Sequence, residues 1–438
     1  MVLFFTFYFS GSIFAEEQKD PLKESVLSKG RSQARAISEI KSKNRLDLVK
    51  ELPKIISEQD AREDSIFATL ALFSELEDLD TLAPTWANEL DNVFKATRST
   101  EIQTRILELA DRKKEKRLIY AVIAGLTHTD FEVRQSSYRY VQGIKDDRAM
   151  PHVLDLAVSN NPVYREYFLE SAIWIKDERV QNLIAKFATD DIPALRRRFF
   201  TVLNKNNIPD NRGNIPRMAA SDPDEDVRLH GLEILKNRKS RQYISLFYKG
   251  ITEPNPDLRK ICTEALFYLN DKQGAKSVSE QLVKETVPGL KARLIDLLLD
   301  LGAHGGGQGL LTILDGDKDP GLRSRAAEVM GKLGFNPGTN ELKRIFEKEK
   351  VNEVKLSLLK ALGELKDKTS VPALISFTSN NKKEYLPLRL QAIDTVRIIG
   401  DPECLPALFD AYVIEKTPEV KSEMEKAVRE IISIKVSK

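Results

Sequence analysis

Two cysteines, four histidines and two tryptophans are all that 438 residues carry of the side chains that most often hold metals, close disulfides or anchor aromatic pockets. No H-E-x-x-H, no histidine pair on one helix face and no cysteine cluster is present, so a metal site built from this chain has no ligand set. No cofactor is expected. An excess of charge of one sign is missing too: 68 Lys and Arg stand against 66 Asp and Glu, a formal net charge of +2. That balance argues against a strong global attraction to nucleic acid or to an anionic membrane. No apolar run reaches the ~20 residues that a helix needs to cross a bilayer. The nearest is N-terminal, MVLFFTFYFSGSIFA, uncharged through Ala15 and followed at once by Glu16 and Glu17. It fits a secretory h-region cleaved after Ala15. It departs from that pattern in lacking a basic residue at the start, which a misplaced start codon would explain, and in carrying Ile13 where a small residue is preferred. No cysteine lies nearby to take a lipid. The segment predicts an exported chain, periplasmic or secreted, with a signal peptide at 1–15 and a polar lead-in, possible disorder included, at 16–31.

What the chain has in abundance is repetition. Ten times between residues 130 and 421 an apolar residue is followed by Arg or Lys: Arg134, Arg165, Arg196, Arg228, Arg259, Lys291, Arg323, Lys355, Arg389 and Lys421. Successive anchors are 31 to 34 residues apart. A fixed period of that size means stacked supersecondary units, none able to bury its apolar face alone. Proline stands three residues before the anchor at Pro162, Pro193, Pro256, Pro288, Pro320 and Pro418. Asp130, Asn161, Asp224, Asn255 and Asp319 suit N-caps, which places each anchor in the first turn of a helix. An apolar stripe follows at helical spacing, with Leu203, Leu235, Leu266, Leu298 and Leu362 seven residues past their anchors. A turn such as Asn270-Asp271 or Gly400-Asp401 then leads to a second amphipathic helix, for example Val371, Leu374 and Phe377. The fold expected is all-α: an α-solenoid of antiparallel helix hairpins over 99–438, capped by irregular helical hairpins over 32–98.

The copies Asp319-Pro320-Gly321-Leu322-Arg323 and Leu362-Gly363-Glu364-Leu365-Lys366-Asp367 carry a resemblance. A helix pair opening D-P-x-L-R and closing L-G-x-L-x-D resembles the short HEAT-like repeat first associated with phycobilin lyases. The resemblance covers about 99–434, is specific for fold and weak for function. It implies that second helices line a concave side. Outward positions there are His152, Asp155, Asn182, Lys186, Ser245, Tyr248, Lys276, Glu280, Asn340, Glu341 and Arg344, a mixture of signs that suits a protein or peptide partner better than a polyanion. The expectation is a non-enzymatic scaffold binding such a partner. The alternatives are an intracellular nucleic-acid-binding protein and a HEAT-like enzyme of lyase or glycosylase type.

Each conspicuous motif also has a bland reading. The anchors could track a phosphate chain, but a cation recurring beside a buried residue in every unit is expected to pair with a neighbouring turn's acid or carbonyls. In Arg196-Arg197-Arg198-Phe199-Phe200 the two rings fall on the core stripe. His128, His152, His230 and His304 are scattered along the stack, and the His-Glu dipeptide of the HEAT-repeat deoxyhypusine hydroxylase is missing. His304-Gly305-Gly306-Gly307 has no G-x-S-x-G partner motif, and its run of glycine predicts a flexible joint. Cys262 and Cys404 are more than four units apart, too far to pair.

Overall fold

The computed structural model describes residues 20–302, 304–337, 339–378 and 386–436. Among the described residues every regular element is helical. Contacts divide the chain into two compact units, one through Pro209 and one from Asp210. Each is a stack of antiparallel helix pairs, an α-solenoid.

The first unit opens with α1 (Pro21–Leu27), α2 (Gln33–Glu39), α3 (Leu52–Ser57), α4 (Glu63–Glu75), α5 (Leu79–Leu82) and α6 (Trp86–Ala96). Regular hairpins follow: α7 (Thr100–Lys113) with α8 (Ile119–Gly125), α9 (Phe131–Ile144) with α10 (Met150–Leu156), and α11 (Pro162–Trp174) with α12 (Glu178–Ile184), then α13 (Pro193–Lys205). Helices α2, α4, α7, α9, α11 and α13 pack in sequence as one layer, and α3, α6 and α8 begin the other. The second unit starts at α14 (Asn214–Ser221). It continues with α15 (Glu225–Asn237) and α16 (Ile244–Gly250), α17 (Pro256–Leu269) and α18 (Ala275–Lys284), and α19 (Pro288–Leu301) and α20 (Gly307–Gly316). Then come α21 (Pro320–Leu333) and α22 (Thr339–Lys348), α23 (Asn352–Glu364) and α24 (Val371–Thr378), α25 (Leu386–Ile399) and α26 (Leu405–Ile414), and α27 (Pro418–Val436). Here α15, α17, α19, α21, α23, α25 and α27 form the first-helix layer.

Local chemistry sets these boundaries. Asp130, Asn161, Asp224, Asn255 and Asp319 each accept a backbone N–H from the first helical turn. First helices stop where the chain turns left-handed, at Lys145, Asn270, Gly302, Gly334, Lys366 and Gly400. Asp271 and Asp367 then cap the short 3-10 turns that lead into α18 and α24. The residue before each anchor is buried at Val133, Leu195, Val227, Leu258, Leu290, Leu322, Val354, Leu388 and Val420, whereas Tyr164 stays 39% exposed. Full burial of such aliphatic side chains is worth about 1.5–3 kcal/mol each.

Two expectations change. The polar lead-in carries structure from Asp20 on: Asp20 caps α1 at 3.1 Å, Val26 is fully buried, and Gln33 Nε2 donates to the Val26 carbonyl at 3.0 Å. One apolar contact in a polar stretch leaves no periodic trace. The proposed signal peptide at 1–15 and the start of the lead-in lie outside the described residues. The glycine-rich corner is a packing device rather than a loose joint. Gly309 N–H donates to Ser279 Oγ at 2.9 Å, and Ser279 Oγ donates to the Gly306 carbonyl at 3.1 Å. A Cβ on Gly309 would sit 2.5 Å from that oxygen and 2.6 Å from the Ser279 carbonyl, and one on Gly307 would enter the Phe335 ring. The glycines let α20 lie against α18.

Candidate functional site

The anchors form the most regular charge pattern in the sequence, and the fold consumes most of them internally. Arg259 donates to both oxygens of Glu285, at 2.7 and 2.8 Å, and its Nη1 donates to the carbonyls of Glu253 and Pro254. Arg323 repeats this with Glu349, at 2.8 and 3.0 Å, and with the carbonyls of Asp317 and Lys318. Arg165 does the same with Asp190. The acid lies 25 or 26 residues after its anchor, where the second helix ends. It does double work: its carboxylate takes the anchor of its own repeat, while its carbonyl takes the next one. Thus Arg228 meets Glu253 at 3.4 Å and Arg259 holds the Glu253 carbonyl, just as Lys291 pairs with Asp317 and Arg323 holds the Asp317 carbonyl. Where Ser159 and Asn160 replace the acid, Arg134 turns to Glu170 at 2.9 Å and stacks 4.0 Å over Tyr167.

The electrostatics follow. Burial pushes the Glu285 carboxyl up, but the Arg259 guanidinium and the N–H groups of Val287 and Thr286 outweigh it and hold the group below its ordinary 4.5. Glu349 is held down in the same way by Arg323 and the N–H groups of Val351 and Lys350. Such anchors are spent cations rather than a free phosphate-binding stripe. Phe199 and Phe200 are buried, as their core spacing predicts. Burial pushes the Cys262 thiol up to about 12, and both cysteines are free. His128 Nδ1 accepts the Asp130 N–H at 3.0 Å, a local turn contact. Among the described residues no group of three or more His, Cys, Asp or Glu is placed to hold a metal ion.

The positions predicted for partner contact all fall on second helices or the 3-10 turns continuing them. In the first unit His152 and Asp155 are exposed on α10, and Asn182 and Lys186 are exposed on α12 and its extension. In the second unit Ser245 is exposed on α16, and Lys276 and Glu280 on α18. Among the described residues the side chains of His152, Asp155, Asn182, Lys186, Lys276 and Glu280 make no ion pair or hydrogen bond, which leaves their polar groups open to an external partner. Three predicted residues are otherwise engaged. Tyr248 is half-buried, and its hydroxyl donates to the Asp271 carbonyl at 3.1 Å and lies 3.0 Å from Oδ2, fixing the next repeat's turn. Arg344 pairs with Asp315 at 2.8 Å and with Glu341 at 2.6 Å, which ties both predicted residues of α22 into one network. The side chain of Asn340 lies outside the described ones.

Sequence reasoning missed an apolar site on this layer. Between α22 and α24 lies a cavity of about 440 Å³, lined by Lys343, Phe346, Glu347, Leu374 and Phe377 among others. Phe346 and Phe377 meet edge to face, with centroids 5.1 Å apart. The two rings stand one position out of register in successive second helices, 23 residues after Arg323 and 22 after Lys355. Phe377 reads as a core stripe until the two helices are seen to part above it.

No family model matches the chain, and no curated protein matches it. Its structure is similar to solved structures of Kap121p (13% identity, 95% of this chain and 54% of that one, TM-score 0.44). It is likewise similar to yeast importin-beta (Kap95p) (10% identity, 94% and 66%, TM-score 0.41). A structure of importin beta in ammonium sulfate gives 12% identity, 95% and 67%, and a TM-score of 0.40. The chain thus spans about half to two thirds of the length of these proteins, and a likeness this distant carries no argument about what it binds.

Proposed function

We propose that this chain is a non-enzymatic scaffold that binds a protein or peptide partner on its second-helix layer after export through its N-terminal apolar segment. The supporting observation is the pairing of open polar residues of both signs with an aromatic-lined cavity on the same layer of the second unit. Lys276 and Glu280 present charge with no partner among the described residues, and Phe346 and Phe377 offer an apolar anchor point. A few buried apolar contacts inside a mixed polar rim is how protein interfaces concentrate binding energy. Consumption of most basic anchors by internal partners weighs against nucleic acid as the ligand. The absence of convergent acid–base groups from the sequence motifs weighs against lyase or glycosylase chemistry. We read the repeat as the short HEAT-like type from its D-P-x-L-R and L-G-x-L-x-D motifs, and the export from the uncharged run ending at Ala15.

Tagged capture from native cells after mild crosslinking, run beside a Lys276→Glu/Lys343→Glu variant, tests both halves. The expected result is a stoichiometric protein partner lost from the variant, and a bait whose N-terminus is Glu16. Nucleic acid in the captured complex, or a partner indifferent to the variant, overturns the binding reading. A bait that retains Met1 overturns the export.

A further inference from the structure

The opposite layer of the second unit carries a groove that the repeat does not need. It runs between the first helices α17 and α19, measures about 460 Å³, and is lined by Lys260, Glu264, Phe267, Tyr268, Arg293 and Asp296 among others. Phe267 and Tyr268 are 45% and 62% exposed and meet edge to face at 5.8 Å. They stand eight and nine residues after their anchor, where other units of the same stack have Lys236-Asn237, Gly331-Lys332 and Gly363-Glu364. No other repeat of the second unit has an aromatic at those positions, and the one such ring in the first unit, Trp174, is covered by Arg139 at 5.2 Å, so the repeat itself does not account for this exposed pair.

The charges lining the groove are unequal in what they have left to give. Glu264 is paired with Lys236 of the preceding repeat at 3.0 Å. Asp296 is held by Arg325 of the following repeat at 2.6 and 2.7 Å. Lys260 and Arg293 are exposed, and among the described residues neither side chain makes an ion pair, hydrogen bond or ring contact. The groove therefore offers two unspent cations beside two exposed rings, with its own carboxylates already neutralised from outside. We propose that it docks an acidic peptide segment of a partner protein, one that sets a bulky apolar side chain on Phe267 and Tyr268 and carboxylates on Lys260 and Arg293. A second copy of this chain fits poorly, because a two-fold contact centred on the groove would bring the same cations face to face. A nucleic-acid strand or an anionic bilayer would meet only two free cations flanked by Glu264 and Asp296, far short of the basic tract such surfaces need.

Panning a random phage-displayed peptide library over the full chain tests this. Enriched sequences should combine Asp or Glu with Phe, Leu, Ile or Trp. A synthetic copy of one should bind in fluorescence anisotropy and weaken at least roughly ten-fold on both Lys260→Glu/Arg293→Glu and Phe267→Ser/Tyr268→Ser. All four side chains are exposed, and circular dichroism confirms that the variants fold. The same peptide should ignore Lys276→Glu/Lys343→Glu, which keeps this result separate from the second-helix surface. Failure to enrich acidic sequences, or equal binding by the groove variants, overturns the proposal. So does a dimer in sedimentation that Phe267→Ser/Tyr268→Ser dissolves, or cosedimentation with phosphatidylserine vesicles that Lys260→Glu/Arg293→Glu abolishes.

Discussion

At the residue scale the most exacting contacts are the buried pairs between anchor and acid. In Arg259–Glu285 the side chains are 10% and 1% exposed, so truncating either one leaves a desolvated charge behind. Glu285→Leu is expected to lower stability in urea by about 3 kcal/mol. With Arg259→Met added, the loss should fall short of the sum of the two single losses by about 2 kcal/mol. Strict additivity would show that the two groups do not depend on each other. Glycines give a second test. Gly309→Ala drives a methyl into Ser279 and should cost about 1–3 kcal/mol. Exposed Gly316 in the same helix has nothing within 4 Å, and Gly316→Ala should instead gain about 0.5–1 kcal/mol. A glycine run is ambiguous in sequence, since looseness and close approach call for the same residue; only Ser279, from the preceding repeat, decides between them.

At the element scale, first helices were far more legible than second ones. They announce themselves by cap, proline and long stripe, and Asp130, Asn255 and Asp319 serve as caps where the spacing places them. Asp319→Ala removes the acceptor for the Gly321 N–H at 2.7 Å and should cost about 1 kcal/mol, measurable as a lower unfolding midpoint; Asp319→Asn should restore most of it. Second helices are shorter and several begin on 3-10 turns; the predicted positions lie on them or on the turns continuing them, but Tyr248 is half-buried and Glu341 and Arg344 pair with each other. Tyr248 serves the turn at Asp271, and Arg344 serves Asp315, because polar side chains beside a neighbouring repeat find partners that no single-helix projection contains. The cavity between α22 and α24 escaped for the same reason. It belongs to the gap between two helices, and each alone shows an ordinary apolar stripe.

At the scale of the whole molecule, stability is spread over many equivalent junctions rather than one centre. That makes its pH dependence collective. Asp190 in the first unit, and Asp317, Glu349 and Glu415 in the second, are pushed up by burial but held below their ordinary values of 3.8 or 4.5 by cations and backbone N–H groups. Groups lowered in the folded state contribute stability above those ordinary values and lose it as the pH falls through the folded ones. Urea midpoints should therefore stay level with respect to these groups down to about pH 5 and drop steeply below about pH 4. A midpoint that rises on acidification would mean the carboxylates are not the ionised partners of the anchors. The same bonds act as a ruler along the chain. Because an acid serves its own anchor 25 or 26 residues back and lends its carbonyl to the anchor six residues on, a few extra residues in a second helix carry the acid away from its own anchor, while a whole extra unit preserves every link. Such a protein should accept growth or loss by complete repeats more readily than other changes of length, beyond the one-residue play that the 25- and 26-residue links already show.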